Sequence, residues 1–425
     1  MNDFLKINYE RYTLENGLEV ILYPDDSLPI LAVNIWYRVG SANETEGKTG
    51  FAHLFEHMMF QGSKHVPKQM HFKYIQEAGG NLNGSTSTDR TNYYQNLPSN
   101  YLELVLWLES DRMGFLIPAL SQEKLDNQID VVKNERRQRY DNAPYGLAWE
   151  IIFSNLYPPG HPYHWPTIGW MKDISNITLP DVKDFFHKYY SPNNASLIIG
   201  GNINISKTKE LVDKYFGPIE RGAPISEINV PAFSFNKNIS LVHEDNIHLP
   251  RIYFAWHTVK AYSQEDAVLD ILSYILSSSK NSRFYKSLVF EQEIAQDISA
   301  FQHSARYGGS FMIIATARPG ISLEQLKEEI FRQINILAEE GITPEELQKA
   351  KNNIRASFIF SMQNLSSLVN HMNEYKFYLN EPDSFQYDLS RYQKVDELQL
   401  KNAVHEYLLK PYIELKILPK QITEE

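Results

Sequence analysis

His53 and His57 stand four residues apart, with Glu56 between them, in the stretch His53-Leu54-Phe55-Glu56-His57. On a helix, positions i and i+4 lie one turn apart on one face, so the two imidazoles can converge on a single ion. Glu56 lies on the same side and can reach a hydrolytic water without being a ligand. Zinc suits such a site because it takes nitrogen and oxygen ligands tetrahedrally and tolerates an open position. It would supply a nucleophile at neutral pH and polarise a carbonyl, while Glu56 moves the proton to the leaving group. With 13 His among 425 residues, a chance His-x-x-Glu-His somewhere in the chain has a probability of roughly 3%, so the motif stands above background. The chain has no cysteine. Thiolate ligands and disulfides are thereby excluded, and a third ligand must come from His, Asp, Glu or a backbone oxygen.

The elements that must position these residues can be read around them. A helical pattern runs from Thr49, a plausible N-cap, to about Gly62, with Phe51, Leu54, Phe55, Met58, Met59 and Phe60 as its apolar members. Before it, Tyr12-Thr13-Leu14 and 18–23 flank the turn signal Glu15-Asn16-Gly17, which predicts a hairpin. A second strand is expected over 30–39, then a polar loop over 40–48. The stretch 128–141 reads as a mostly polar helix with Ile129, Val131 and Val132 as its apolar residues. Glu135 sits in it, and by composition alone it is one of many acidic candidates for the third ligand.

A chain of this length exceeds one hydrophobic core and implies at least two domains. The segment after Phe216-Gly217-Pro218 carries Gly222, Pro224 and Pro231 and marks the best linker, 221–236. It separates a zinc-binding domain, 1–220, from a second domain, 237–425. The halves resemble each other. The helix 182–190, followed by Ser191-Pro192 and a strand over 195–199, has a counterpart in 403–409, Lys410-Pro411 and a strand over 413–418. His187 and His405 occupy matching places, and Leu28-Pro29 matches Leu249-Pro250. These parallels indicate duplication of a domain of about 200 residues. Strands come in hairpin-like pairs among irregularly spaced helices. The expected fold is therefore α+β: two homologous domains, each a mostly antiparallel sheet with helices packed on one face. A formal net charge of −11 leaves no electrostatic footprint for nucleic acid or anionic membranes. No apolar run is long enough to span a bilayer. The opening MNDFLKINYE lacks the pattern of a signal peptide. A cytoplasmic location is expected if Met1 is the native start, with the periplasm open otherwise.

His-x-x-Glu-His is the inverted zincin order, and the sequence resembles the pitrilysin/insulinase family of zinc peptidases over essentially its whole length. Within that family it is most similar to the small-subunit branch of mitochondrial processing peptidase and its bacterial relatives. The family places a Glu ligand some seventy to eighty residues after the motif. Here Glu135 lies 78 positions after His57, in Val131-Val132-Lys133-Asn134-Glu135, so the resemblance makes it the expected ligand of one zinc ion per chain. It also implies that Gly80, Asn81, Leu82, Asn83, Gly84 and Ser85, in the run that continues to Asp89, Thr91 and Tyr93, form the edge strand that takes up substrate. His161-Pro162-Tyr163 and Gly169 are further landmarks; His161 and His164 read as loop packing or substrate-side contact rather than a second metal site.

Two departures stand out. Many members carry a supporting Glu seven positions before the ligand, where this chain has Gln128. Members also place an Arg and a Tyr, six or seven apart, in the second half to hold the substrate backbone. Arg306 falls in the right region, but the Tyr positions hold Met312 and Ile313, and Tyr307 would point elsewhere on a strand. The second half also lacks the zinc motif; its matching helix, near Asp270, has no His. The resemblance thus implies hydrolysis of peptides or unfolded segments inside a chamber closed by a homologous partner that supplies the Arg/Tyr pair. A heterodimer is expected, with a homodimer as the runner-up. The rival reading is a non-catalytic or zinc-binding scaffold subunit.

Overall fold

The computed structural model describes residues 6–230, 233 and 236–420. Pro231 of the linker and residues 1–5 of the opening segment lie outside the described residues. Residues 221–230 carry neither helix nor strand.

The first sheet has six strands: β1 (Glu10–Thr13), β2 (Glu19–Pro24), β3 (Ile30–Tyr37), β4 (Asn81–Thr86), β5 (Thr91–Pro98) and β6 (Ala195–Gly201). Their order is β1-β2-β6-β3-β5-β4, antiparallel except where β2 meets β6. β1 and β2 form the hairpin expected around Asn16-Gly17, where Gly17 takes φ +90°. The second sheet has five: β7 (Ile239–Asp245), β8 (Arg251–Thr258), β9 (Ala295–Ala305), β10 (Gly308–Ala317) and β11 (Ile413–Pro419). Its order is β7-β11-β8-β10-β9, and the single parallel pair is β7 with β11. Strand for strand this repeats β2-β6-β3-β5-β4. The duplication read from helix-Pro-strand junctions is therefore a duplication of topology, and the α+β expectation holds.

The two compact units interleave along the chain. One comprises 6–136, Trp165–Asn229 and Phe360–Phe385; the other comprises Arg137–His164, Val230–Ile359 and 386–420. Each half of the chain thus lends a helix to the unit built mainly by the other half. The helix Leu365–Leu379 packs on β3 and β6, and the helix Ala148–Leu156 packs on β11 and β8. The burial pattern of β3 shows why the loan is needed. Seven of its eight residues are buried, which requires cover on both faces. Tyr37 meets Tyr93 and Tyr190 on one side. On the other, Trp36 meets Phe377 at 5.8 Å and Asn34 donates to Asn370 at 3.1 Å. Among the described residues no helix is long and apolar enough to cross a membrane.

In the second unit His161 is fully buried, stacked 4.5 Å from the Tyr157 ring. Its Nδ1 accepts the Tyr163 N–H at 3.1 Å. Burial first, then His257 and His164, pushes its pKa down to about 4. The folded state therefore refuses a proton that the unfolded chain accepts below about 6.5, and stability falls as pH drops from 6.5 towards 4. The loss is expected to be on the order of 3 kcal/mol. Denaturant titrations across that window should show a steeper decline for the wild type than for His161→Gln; equal slopes would refute the assignment.

Candidate metal centre

The motif helix spans Phe51–Met58, shorter than the expected run to Gly62, because Gly62 turns the chain at φ +89°. Thr49 is not its cap. Gly50 is the N-cap in left-handed conformation, and the helix start is satisfied from across the loop. Glu44 accepts the Gly50 N–H at 2.9 Å and the Ala52 N–H at 2.8 Å. Burial pushes the Glu44 carboxyl up to about 8, against the opposing pull of those N–H groups. Thr49 turns away instead. Its hydroxyl donates to Asp173 at 2.8 Å and accepts from the Trp170 N–H at 2.9 Å. A Cβ on Gly169 would sit 2.5 Å from the Gly50 nitrogen, so this backbone approach requires glycine.

Beneath the helix lies an aromatic bed. Phe55 packs 4.2 Å from Tyr190 and 5.7 Å from Phe186, between the helix Leu179–Tyr189 and the sheet. Leu54, Phe55 and Met58 are buried, which leaves the opposite face to His53, Glu56 and His57. The two imidazole rings stand 4.9 Å apart at 70°.

Glu135 comes from the end of the helix Gln122–Arg136, anchored by buried Leu125, Gln128 and Val132. Its Oε2 lies 3.3 Å from His57 Nε2 and 3.7 Å from His53 Nε2. One donor atom from each of the three side chains falls within 4.8 Å of the others, and this is the single such group among the described residues. Tetrahedral zinc bonds of about 2.0–2.1 Å put neighbouring donors about 3.3 Å apart. The spacing fits, and two nitrogens with one carboxylate leave a fourth position open. The next residue, Arg136, donates to the Gly169 carbonyl at 3.0 Å and ties the helix end to the Gly50 loop. Gln128 is buried, and its amide donates to Asn127 at 2.9 Å.

 

Glu56 faces β4, and a Cβ on Gly84 would sit 3.1 Å from Glu56 Cγ. The Thr86 hydroxyl donates to Glu56 Oε2 at 2.6 Å. Burial raises the Glu56 pKa, the Thr86 hydrogen bond and His57 lower it, Glu135 raises it and Arg90 lowers it. The edge-strand expectation for 80–85 meets β4, the outermost strand of the first sheet, which packs against the motif helix. Thr86 and Gly84 share a strand face by the two-residue period, a signal that could have singled out Thr86 from the sequence.

Arg306 belongs to the second unit. It and Tyr307 are the two residues that turn β9 into β10, so Tyr307 is not on a strand as expected. The Arg306 guanidinium lies 5.4 Å from the Tyr307 ring, and the Tyr307 N–H bonds Tyr163 Oη at 3.0 Å. Met312 and Ile313 are fully buried in β10.

A profile described as "Insulinase (Peptidase family M16)" matches residues 20–157, and one described as "Peptidase M16 inactive domain" matches 176–354. The chain is 34% identical to the zinc protease PqqE of Helicobacter pylori over 86% of this chain and 83% of that protein. It is 22% identical to the Arabidopsis thaliana protein named "Probable mitochondrial-processing peptidase subunit beta, mitochondrial", over 84% of this chain and 68% of that one. The crystal structure of a protease from Helicobacter pylori superposes with a TM-score of 0.88 at 29% identity, covering 97% of this chain and 100% of that one. With its paired sheets and its His/His/Glu cluster, the chain belongs to the insulinase family, peptidase family M16, and is a zinc protease of that family.

Proposed function

We propose that the chain hydrolyses peptides or unfolded segments with one zinc ion held by His53, His57 and Glu135. The observation that carries this reading is the convergence of those three donors beside Glu56, itself held by Thr86 of an edge strand. A zinc ion held there would lower the pKa of a water and polarise the scissile carbonyl. Glu56 would serve as general base and acid, taking a proton from the hydrolytic water and giving it to the departing amine. β4 receives the substrate as an added strand, so that backbone hydrogen bonds bind it with little demand on side chains. Gln128 stands where a supporting carboxylate is common, and acts by packing the Glu135 helix rather than by charge.

We further propose that a homologous partner closes a chamber around the substrate and supplies the Arg/Tyr pair, in a heterodimer before a homodimer. Two observations support it: Met312 and Ile313 are buried aliphatic residues where a Tyr would be needed, and one relative is named as a subunit. The purified chain, zinc-loaded and checked for mass in solution, is expected to cleave short quenched peptides slowly. Co-purified partner from the native source should raise the rate at least about tenfold, about 1.4 kcal/mol in the barrier. Full activity from a monomer would refute the partner, and no cleavage with the partner present would favour the scaffold reading.

A further inference from the structure

β4 is a poor strand on its own terms. Its sequence, Asn81-Leu82-Asn83-Gly84-Ser85-Thr86, is rich in residues depleted from strands, and as an edge it has a neighbour on one side only. The Ser87 N–H donates to the Arg90 carbonyl at 2.8 Å, closing the β4–β5 hairpin. Pairs then alternate, so Ser85/Asn92 and Asn83/Tyr94 bond to each other. Leu82, Gly84 and Thr86 are left with backbone groups pointing off the edge, where the Gly84 N–H donates to the Asn83 side-chain Oδ1 at 2.9 Å. Gly84 and Thr86 are also the residues that touch Glu56. The groups that face a substrate strand and the contacts on Glu56 therefore share Gly84 and Thr86.

Arg90 holds this strand from the other face. Its Nη1 donates to the Ser85 carbonyl at 2.8 Å, to Asn92 Oδ1 at 3.1 Å and to the Ser85 hydroxyl. Its guanidinium lies 5.0 Å from the Trp36 ring. The residues around that layer come from the helix Leu365–Leu379. Asn370 accepts from Asn34 and Asn92, Tyr378 donates to Asp89 at 3.2 Å, and Glu374 is the charge that acts most strongly on Arg90. That helix is itself fastened, with Asn373 donating to the Asn34 carbonyl at 3.0 Å and Lys376 paired with Glu19 at 2.7 Å.

We propose that Arg90 is a positioning residue for peptide cleavage: by clamping Ser85 against Trp36 it fixes the register of β4, and through Thr86 the orientation of Glu56. The inference rests on the peptidase reading. Nη1 gathers a carbonyl, a hydroxyl and an amide oxygen while the planar guanidinium stays against the Trp36 ring, a combination that a compact ammonium does not match.

The test uses the full-length, zinc-loaded protein. Arg90→Met is expected to lower kcat about tenfold with zinc content unchanged, and to speed amide exchange in 81–86 at least about tenfold while β6 keeps its protection. In a Thr86→Val background the same substitution should lower kcat by less than about threefold, because the two residues act along one path. Losses that simply multiply, or exchange in 81–86 that matches the wild type, would overturn the proposal. Exchange that quickens equally in β4 and β6 would show general loosening and overturn it too. A wild type that cleaves no peptide would sink the peptidase reading, and the exchange comparison would still decide whether Arg90 clamps β4.

Discussion

Glu56→Gln is expected to lower kcat for peptide cleavage by about 10³-fold while zinc stays at one per chain. General acid–base catalysis by a positioned side chain contributes about 10²–10⁴-fold, and 10³ corresponds to about 4 kcal/mol in the barrier. Gln has the size of Glu and keeps an oxygen for the Thr86 hydroxyl, which now bonds Glu56 at 2.6 Å. It cannot take a proton from water at neutral pH. The helix should be undisturbed, because its start is satisfied by Glu44 and its underside by Phe55 and Met58. Steady-state rates on a quenched peptide and metal analysis of the same sample check both halves of the expectation. Undiminished cleavage would show that the activity arises elsewhere. Lost zinc would show that Glu56 does more than move a proton.

What could be read from the sequence follows from which interactions are local. The i, i+4 spacing of His53 and His57 depends only on helix geometry, and the hairpin around Asn16-Gly17 only on its turn residues; both are found. The Thr49 cap failed because the competing acceptor, Glu44, reaches the helix start from six to eight residues back through a folded loop. Glu135 was one acid among many by composition, and the resemblance picked it out; its convergence with the histidines depends on packing between two helices. Arg90 gave no signal at all, because its role needs Trp36 and a helix that begins 275 positions later, at Leu365. The interleaved units were hidden for the same reason. Apolar periodicity shows that a helix has a face to bury, but not which sheet will bury it.

Glu135→Ala is expected to leave the chain unable to retain zinc, with affinity reduced by about 10³-fold or more. Structural zinc sites are worth about 10–16 kcal/mol in all, so losing one of three protein ligands costs several kcal/mol, and about 4 kcal/mol is 10³-fold. The substitution should spare the fold itself. Glu135 sits in the last turn of its helix, while Leu125, Gln128 and Val132 hold that helix in place. The metal-free melting temperature should therefore move little. Zinc should raise the melting temperature of the wild type, because a ligand bound only by the folded state stabilises it, and should fail to raise that of the variant. A ligand and a purely structural carboxylate part company here: loss of a structural carboxylate lowers the metal-free melting point and leaves the zinc-induced rise intact. Stoichiometric zinc retained by Glu135→Ala would remove this residue from the ligand set and leave two histidines on one helix turn, too few to hold the ion that the proposed chemistry needs.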